Sequence, residues 1–190
     1  MYKTLHTLLT GLLMLLCTAV SGQDHLIGLF QSPRGVGVCA FLDDPDGQET
    51  NIITARTDFY GFLSGRTQDV GAAVSYTHDY YFYRRETDQF SLRLHAGAGG
   101  MSGYTHDFET GFFSAFDRQL VRPLGWTVAL VGNFGVRMDF RRHLSLDVSL
   151  STLPGIHLRT DSKTGTLLVA FYKAGVYHSF YPQVNLMYRF

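Results

Sequence analysis

Between Leu124 and Phe140 the side chains alternate in character for seventeen residues: Leu124, Trp126, Val128, Leu130, Phe134, Val136, Met138 and Phe140 at even positions, Gly125, Thr127, Ala129, Asn133, Gly135, Arg137 and Asp139 at odd ones. Successive side chains of a strand point to opposite faces, so this segment has one apolar face and one small or polar face. Val131 and Gly132 are its only irregularities. A strand of a soluble sandwich runs about five or six residues, whereas lipid requires roughly 9–11 tilted residues with aromatics near the interfaces. The length favours a strand that crosses a membrane.

The dyad recurs along the chain. Gln89 to Thr105 sets Phe90, Leu92, Leu94, Ala96, Ala98 and Tyr104 against Ser91, Arg93, His95, Gly97 and Gly99. Leu144 to Leu150 sets Leu144, Leu146, Val148 and Leu150 against Ser145, Asp147 and Ser149. Val70 to Phe82 repeats the pattern, with His78 breaking the apolar row near its end. Ile53, Ala55, Phe59 and Leu63 oppose Thr54, Arg56, Asp58 and Tyr60, and Arg34 to Asp43 offers Val36, Val38, Ala40 and Leu42 against Gly35, Gly37, Cys39 and Phe41. His25 to Gln31 has no clear polar face, and it enters because single-chain bacterial barrels have an even strand number. With the segment from Ser179 to Phe190, these rows predict an all-β fold: an antiparallel up-and-down transmembrane β-barrel of eight strands.

Composition agrees with a sheet that hides its hydrophobicity by alternation. Mean hydropathy is zero although 45% of the residues are hydrophobic. A helical membrane protein would carry long apolar runs, and the last such run ends at Leu16. Lys3, the apolar stretch Leu8 to Leu16 and the small residues Ala19, Val20, Ser21 and Gly22 fit a secretory signal peptide cleaved near Gly22. The expected division is therefore 1–22 signal peptide and 23–190 one barrel domain. Removing residues 1–22 takes Lys3 and no acid from a chain of formal charge zero, leaving about −1. That balance gives no support to nucleic-acid binding. Cys39 would be the one remaining cysteine, so no intramolecular disulfide is expected.

The final segment carries the most specific motif. Val184, Leu186, Tyr188 and Phe190 lie on one face, and Phe190 ends the sequence. This resembles the carboxy-terminal signal of bacterial outer-membrane barrels: a terminal aromatic, an aromatic two residues earlier and apolar residues at alternate positions before. The resemblance implies the bacterial outer membrane as location, lipid as surroundings and the barrel-assembly machinery as a partner. More broadly the chain resembles the small eight-stranded class that includes the OmpA transmembrane domain. The runs Asp58 to Arg66, Phe171 to Tyr177 and Tyr181 to Phe190 look like those of small barrels of Bacteroidota. That group implies no activity and no cofactor.

Loop lengths orient such a barrel, because short turns lie in the periplasm and long loops outside. Arg141 to His143 and Arg85 to Asp88 read as periplasmic, while His106 to Pro123, Asp161 to His178 and Ser64 to Gln68 read as outer loops. The first hairpin, around Ser32 to Arg34, is then unusually short for an outer connection. A bent single first strand would remove that oddity and leave seven strands.

Arg56, Asp58, Arg93, Arg137, Asp139 and Asp147 lie opposite the apolar rows. A barrel of about eight strands has an interior filled by side chains, and buried charges persist when paired. Three arginines facing three aspartates predict an internal ion-pair network; a proton or ion path is the alternative. In the long loops, Phe108, Phe112, Phe113, Phe116, Tyr172 and Tyr177 read either as an aromatic girdle or as an exposed patch for an extracellular glycan, lipid or protein.

The expected function is a monomeric, non-enzymatic outer-membrane barrel of structural or surface-binding type. A lipid-modifying enzyme of the lipid A deacylase or acyltransferase type is the alternative, since His143, Ser145 and Asp147 have admissible spacing for an activated serine. Against it, His143 falls in a turn read as periplasmic, away from the outer leaflet. A soluble periplasmic ligand-binding barrel is the second alternative, and it requires the apolar rows to turn inward. His78, His95, His106, His157 and His178 show no metal-ligand spacing, so no metal site is expected.

Overall fold

The computed structural model describes residues 25–59, 69–107, 124–140, 143–160, 164–172 and 180–189. Its strands are β1 His25–Gln31, β2 Val36–Asp43, β3 Glu49–Asp58, β4 Gly71–Glu86, β5 Phe90–Thr105, β6 Gly125–Phe140, β7 Leu144–Thr152, β8 Gly155–Thr160, β9 Leu167–Phe171 and β10 Phe180–Arg189. All pairings are antiparallel. Each strand from β1 to β6 pairs with the next, β10 pairs with β7, and β1 pairs with β10, which closes the sheet.

The ring has eight staves, because two of them are built from two segments each. β7 and β8 follow one another along β6, with Leu153 and Pro154 between them. Proline has no N–H to give to a ladder, but the neighbouring backbone still makes bonds here: Leu130 N donates to Pro154 O at 2.9 Å, and Tyr172 N to Gly155 O at 2.8 Å. On the adjoining stave β9 pairs with β8 and β10 with β7.

The dyad rows face as a membrane barrel requires. On β6, Trp126, Val128, Leu130 and Phe134 project outward and are exposed, Leu130 to 70%, while Thr127 and Arg137 are fully buried in the interior. Val131 keeps the alternation by facing inward, with Gly132 outside. Elsewhere Leu29, Val74, Val148 and Leu186 stand on the outer surface, and Asp43, Asp79 and Asn185 inside. The apolar rows therefore point outward, the reverse of what a soluble ligand-binding barrel needs.

Most expected strands recur with shifted ends. β3 begins at Glu49 rather than Ile53, because Ile52 faces the interior among Thr50, Thr54 and Arg56 and so masks the dyad. β4 runs on to Glu86 because a register shift between Tyr81 and Tyr83 breaks the alternation without ending the pairing. The expected outer loop from Asp161 to His178 is corrected in part: Leu167–Phe171 is strand β9. Its sequence, five apolar residues in a row, carries no period from which a strand could be told.

The connections sort by length. β2 to β3, β4 to β5 and β6 to β7 are tight and lie at one end; β3 to β4, β5 to β6 and β8 to β9 lie at the other, with the short β1 to β2 turn. Ser32 N donates to Gly35 O at 2.9 Å in that turn, so β1 and β2 are two staves and not one bent strand.

Candidate functional site

The interior holds the polar chemistry of the described residues, in three tiers. Nearest the end with tight turns, Arg137 donates from Nε to Asp139 Oδ1 and from Nη1 to Asp43 Oδ1, both at 2.8 Å, and from Nη1 to the Tyr81 hydroxyl at 2.5 Å. Arg93 lies 3.6 Å from Asp43 and 3.5 Å from Asp139, with its guanidinium 5.4 Å from the Tyr81 ring centre. Ser145 donates to Asp139 at 2.5 Å, and Arg189 approaches the same carboxylate at 3.5 Å. Three guanidinium groups thus share two carboxylates.

The middle tier is a carboxylate, imidazole, carboxylate sandwich. His95 Nδ1 lies 2.7 Å from Asp79 Oδ2 and Nε2 lies 2.7 Å from Asp147 Oδ2, with all three side chains fully buried. A ring protonated at both nitrogens donates to both carboxylates at once. Asn133 donates to Asp79 and Asn185 to Asp147, each at 2.8 Å. Two glycines make room for it. Gly97 lies opposite Asp79 on β5, and a Cβ there would sit 2.4 Å from Asp79 Oδ1. Gly135 lies opposite His95 on β6, where a Cβ would sit 2.3 Å from Nε2, so the bare backbone lets the ring reach across β6 to Asp147 on β7. Gly135→Val is accordingly expected to displace His95 and cost about 1–3 kcal/mol by overpacking, measured as a lower urea midpoint for the barrel folded in lipid vesicles.

The third tier closes the other end. Arg34, in the β1 to β2 turn, donates to Asp58 Oδ2 at 2.6 Å, to His106 O at 2.6 Å and to the Tyr172 hydroxyl at 3.0 Å. Burial pulls the Arg34 pKa down; Asp58 outweighs it with help from Tyr172 and Tyr181, so the net direction is up. Asp58 also accepts from His106 N at 2.9 Å. Thr105 donates to the Tyr172 hydroxyl at 3.2 Å, Thr127 bridges Thr105 and His157, and the His157 ring stacks on Tyr172 at 6.2 Å.

These positions modify several expectations. Arg56, Asp58, Arg93, Arg137, Asp139 and Asp147 all face the interior and are buried or nearly so. They do not form three arginine–aspartate pairs: Asp147 binds His95, Asp58 binds Arg34, and Arg56 makes no ion pair among the described residues. Tyr172 does not belong to an exposed loop patch, because its bonds to Arg34 and Thr105 hold it fully buried in the barrel mouth. Phe108, Phe112, Phe113, Phe116 and Tyr177 lie outside the described residues. Val184, Leu186 and Tyr188 project outward from β10, and Phe190 lies outside the described residues. His143, Ser145 and Asp147 are not brought together: His143 stacks on Tyr188, Ser145 bonds Asp139, and Asp147 bonds His95.

Arg34, Asp43, Asp79, His95 and Asn185 are the members that sequence reasoning did not gather. Asp43, Asp79 and His95 stand on the inward parity of their strands: His95 already lies in the polar row of Gln89 to Thr105, Asp43 is one step beyond Phe41, and Asp79 falls on the face opposite Tyr80. Arg34 sits in a turn, where no parity applies.

No protein-family model and no curated protein sequence matches the chain. Among solved structures it is similar to a major outer membrane protein from Thermus thermophilus, at 12% identity and TM-score 0.47, covering 89% of this chain and 100% of that one. It is also similar to Ail, the attachment invasion locus protein of Yersinia pestis, solved with the heparin analogue sucrose octasulfate, at 17% identity and TM-score 0.37, covering 88% of this chain and 97% of that one.

Proposed function

We propose that this chain is an integral barrel of the bacterial outer membrane, of structural or surface-binding type, exported by a signal peptide and kin to the small barrels of Bacteroidota. One observation carries the reading: the closed sheet turns the apolar rows of Leu29, Val74, Leu130, Phe134, Val148 and Leu186 outward and buries Arg56, Arg93, Arg137, Asp43, Asp79 and Asp147 inside. Water would favour the opposite arrangement, and lipid favours this one. The tight connections then belong in the periplasm and the longer ones outside. The outward row Val184, Leu186 and Tyr188 is the surface offered to the assembly machinery. A partner of glycan, lipid or protein type would be met by the outer loops, since among the described residues the side chains of the three tiers occupy all of the interior but one small cavity.

The test combines location with polarity. The unheated protein from a purified outer-membrane fraction should migrate faster on a gel than the heated one, with external protease cutting intact cells only within residues 60–68, 108–123 or 161–166. Leu130→Arg, on the outward face midway along β6, should cost about 2–4 kcal/mol in vesicles if Leu130 meets lipid near the midplane. Recovery of the chain in the soluble periplasm would sink the proposal.

A further inference from the structure

Four arginines are buried in the interior among the described residues: Arg34, Arg56, Arg93 and Arg137. Three lie within 3.6 Å of a carboxylate. Arg56 is the exception. Its Nη2 donates to the thioether Sδ of Met101 at 2.9 Å, a weak acceptor, and its guanidinium lies 4.5 Å from the centre of the Tyr181 ring. Neither neighbour supplies negative charge, and an uncompensated guanidinium away from water costs several kcal/mol.

Arg56 lines a cavity of about 20 Å³ above the His95 tier. Hydroxyl groups of Thr54, Ser75, Thr77, Ser149 and Ser151 share the wall, and among the described residues no carboxylate does. The buried Thr77 hydroxyl has no hydrogen-bond partner among the described residues. Asp79 and Asp147, which lie off this wall, are each already engaged by His95 and by an asparagine amide. A cation and the Thr77 hydroxyl facing a space of this size describe a receptor for one small negative ion, since about 10–15 Å³ of such volume holds a single water-sized particle.

We propose that the cavity binds one small monovalent anion of halide size, held by Arg56 and the Thr77 hydroxyl. A monovalent ion matches the single charge of Arg56, which a divalent oxyanion would overcompensate in a buried site. A water molecule would fit the space, accepting from Thr77 and donating to the unpartnered Asn185 Oδ1 on the same wall, but it would bring no charge to Arg56.

Bromide and heat stability distinguish the two occupants. Crystals of the full folded chain grown in sodium bromide should show an anomalous peak in the cavity within hydrogen-bonding reach of Arg56. In detergent, the midpoint of heat unfolding should rise by several degrees with chloride or bromide, relative to sodium sulfate at equal ionic strength, and the rise should saturate as binding to the folded state requires. Arg56→Met should abolish both the peak and the halide dependence. If that variant does not fold, Thr77→Val carries the same comparison and should weaken both. A cavity filled without anomalous signal identifies water and overturns the proposal, as does a halide effect that survives in the folded variants.

Discussion

Arg137→Met is expected to lower the stability of the folded barrel by about 3–5 kcal/mol, the cost of removing one partner from a buried ion pair. Arg137 is fully buried, and its guanidinium serves Asp43, Asp139 and the Tyr81 hydroxyl together. Methionine keeps much of the side-chain volume, so the loss reports the charge and not a cavity. Arg93 remains within 3.6 Å of both carboxylates, which places the effect at the lower end if its guanidinium can move toward them. Urea titration in lipid vesicles measures the loss. Asp43→Asn in the same chain should restore part of it, because one carboxylate fewer is left without a cation. A pair of mutations whose effects simply add would show that Arg137 and Asp43 do not depend on each other.

The second large effect belongs to His95. With both ring nitrogens 2.7 Å from carboxylate oxygens, His95→Leu leaves Asp79 and Asp147 facing a hydrocarbon side chain in the dry interior. The same range of about 3–5 kcal/mol is expected. Asp147→Asn should relieve it when combined with His95→Leu, and Asp79→Asn likewise. With His95 in place either asparagine should be destabilising, because the ring then loses an ionised acceptor. Opposite signs of one substitution in two backgrounds is the outcome that a packing role for His95 would not give.

How far the sequence could be read depended on whether one strand or several were needed. The Leu124 to Phe140 row sufficed to orient β6, because the period of two is a local property. His25 to Gln31, which has no clean dyad, became a stave only through its partners β2 and β10. β9 was illegible, as five apolar residues in succession have no period. The interior network was half legible. Parity assigns Arg137, Asp139 and Asp147 to the inside, yet it cannot say that Asp147, directly opposite Arg137 across β6 and β7, reaches past β6 to His95 on β5 instead. That choice depends on the missing Cβ of Gly135 and on the stagger of three strands. Tyr172 was misplaced for a related reason: an aromatic near the outer end reads as girdle, and its inward turn depends on Arg34, a residue 138 positions away.

The seam between β1 and β10 sets the order of events during assembly. Leu26 meets Arg189, and the pairing extends only to Gln31 against Val184, whereas β5 and β6 are laddered along their whole length. Joining ends that far apart in the chain carries the largest loop-closure entropy of any joint in the ring, and it brings back one of the shortest ladders. The hairpins from β2 to β7 can form locally and early. Closure must come late, and until then both edges present unpaired N–H and C=O groups to any strand nearby. A machine that shelters the last strand until the first arrives would act at the slowest and most aggregation-exposed step of this barrel's formation.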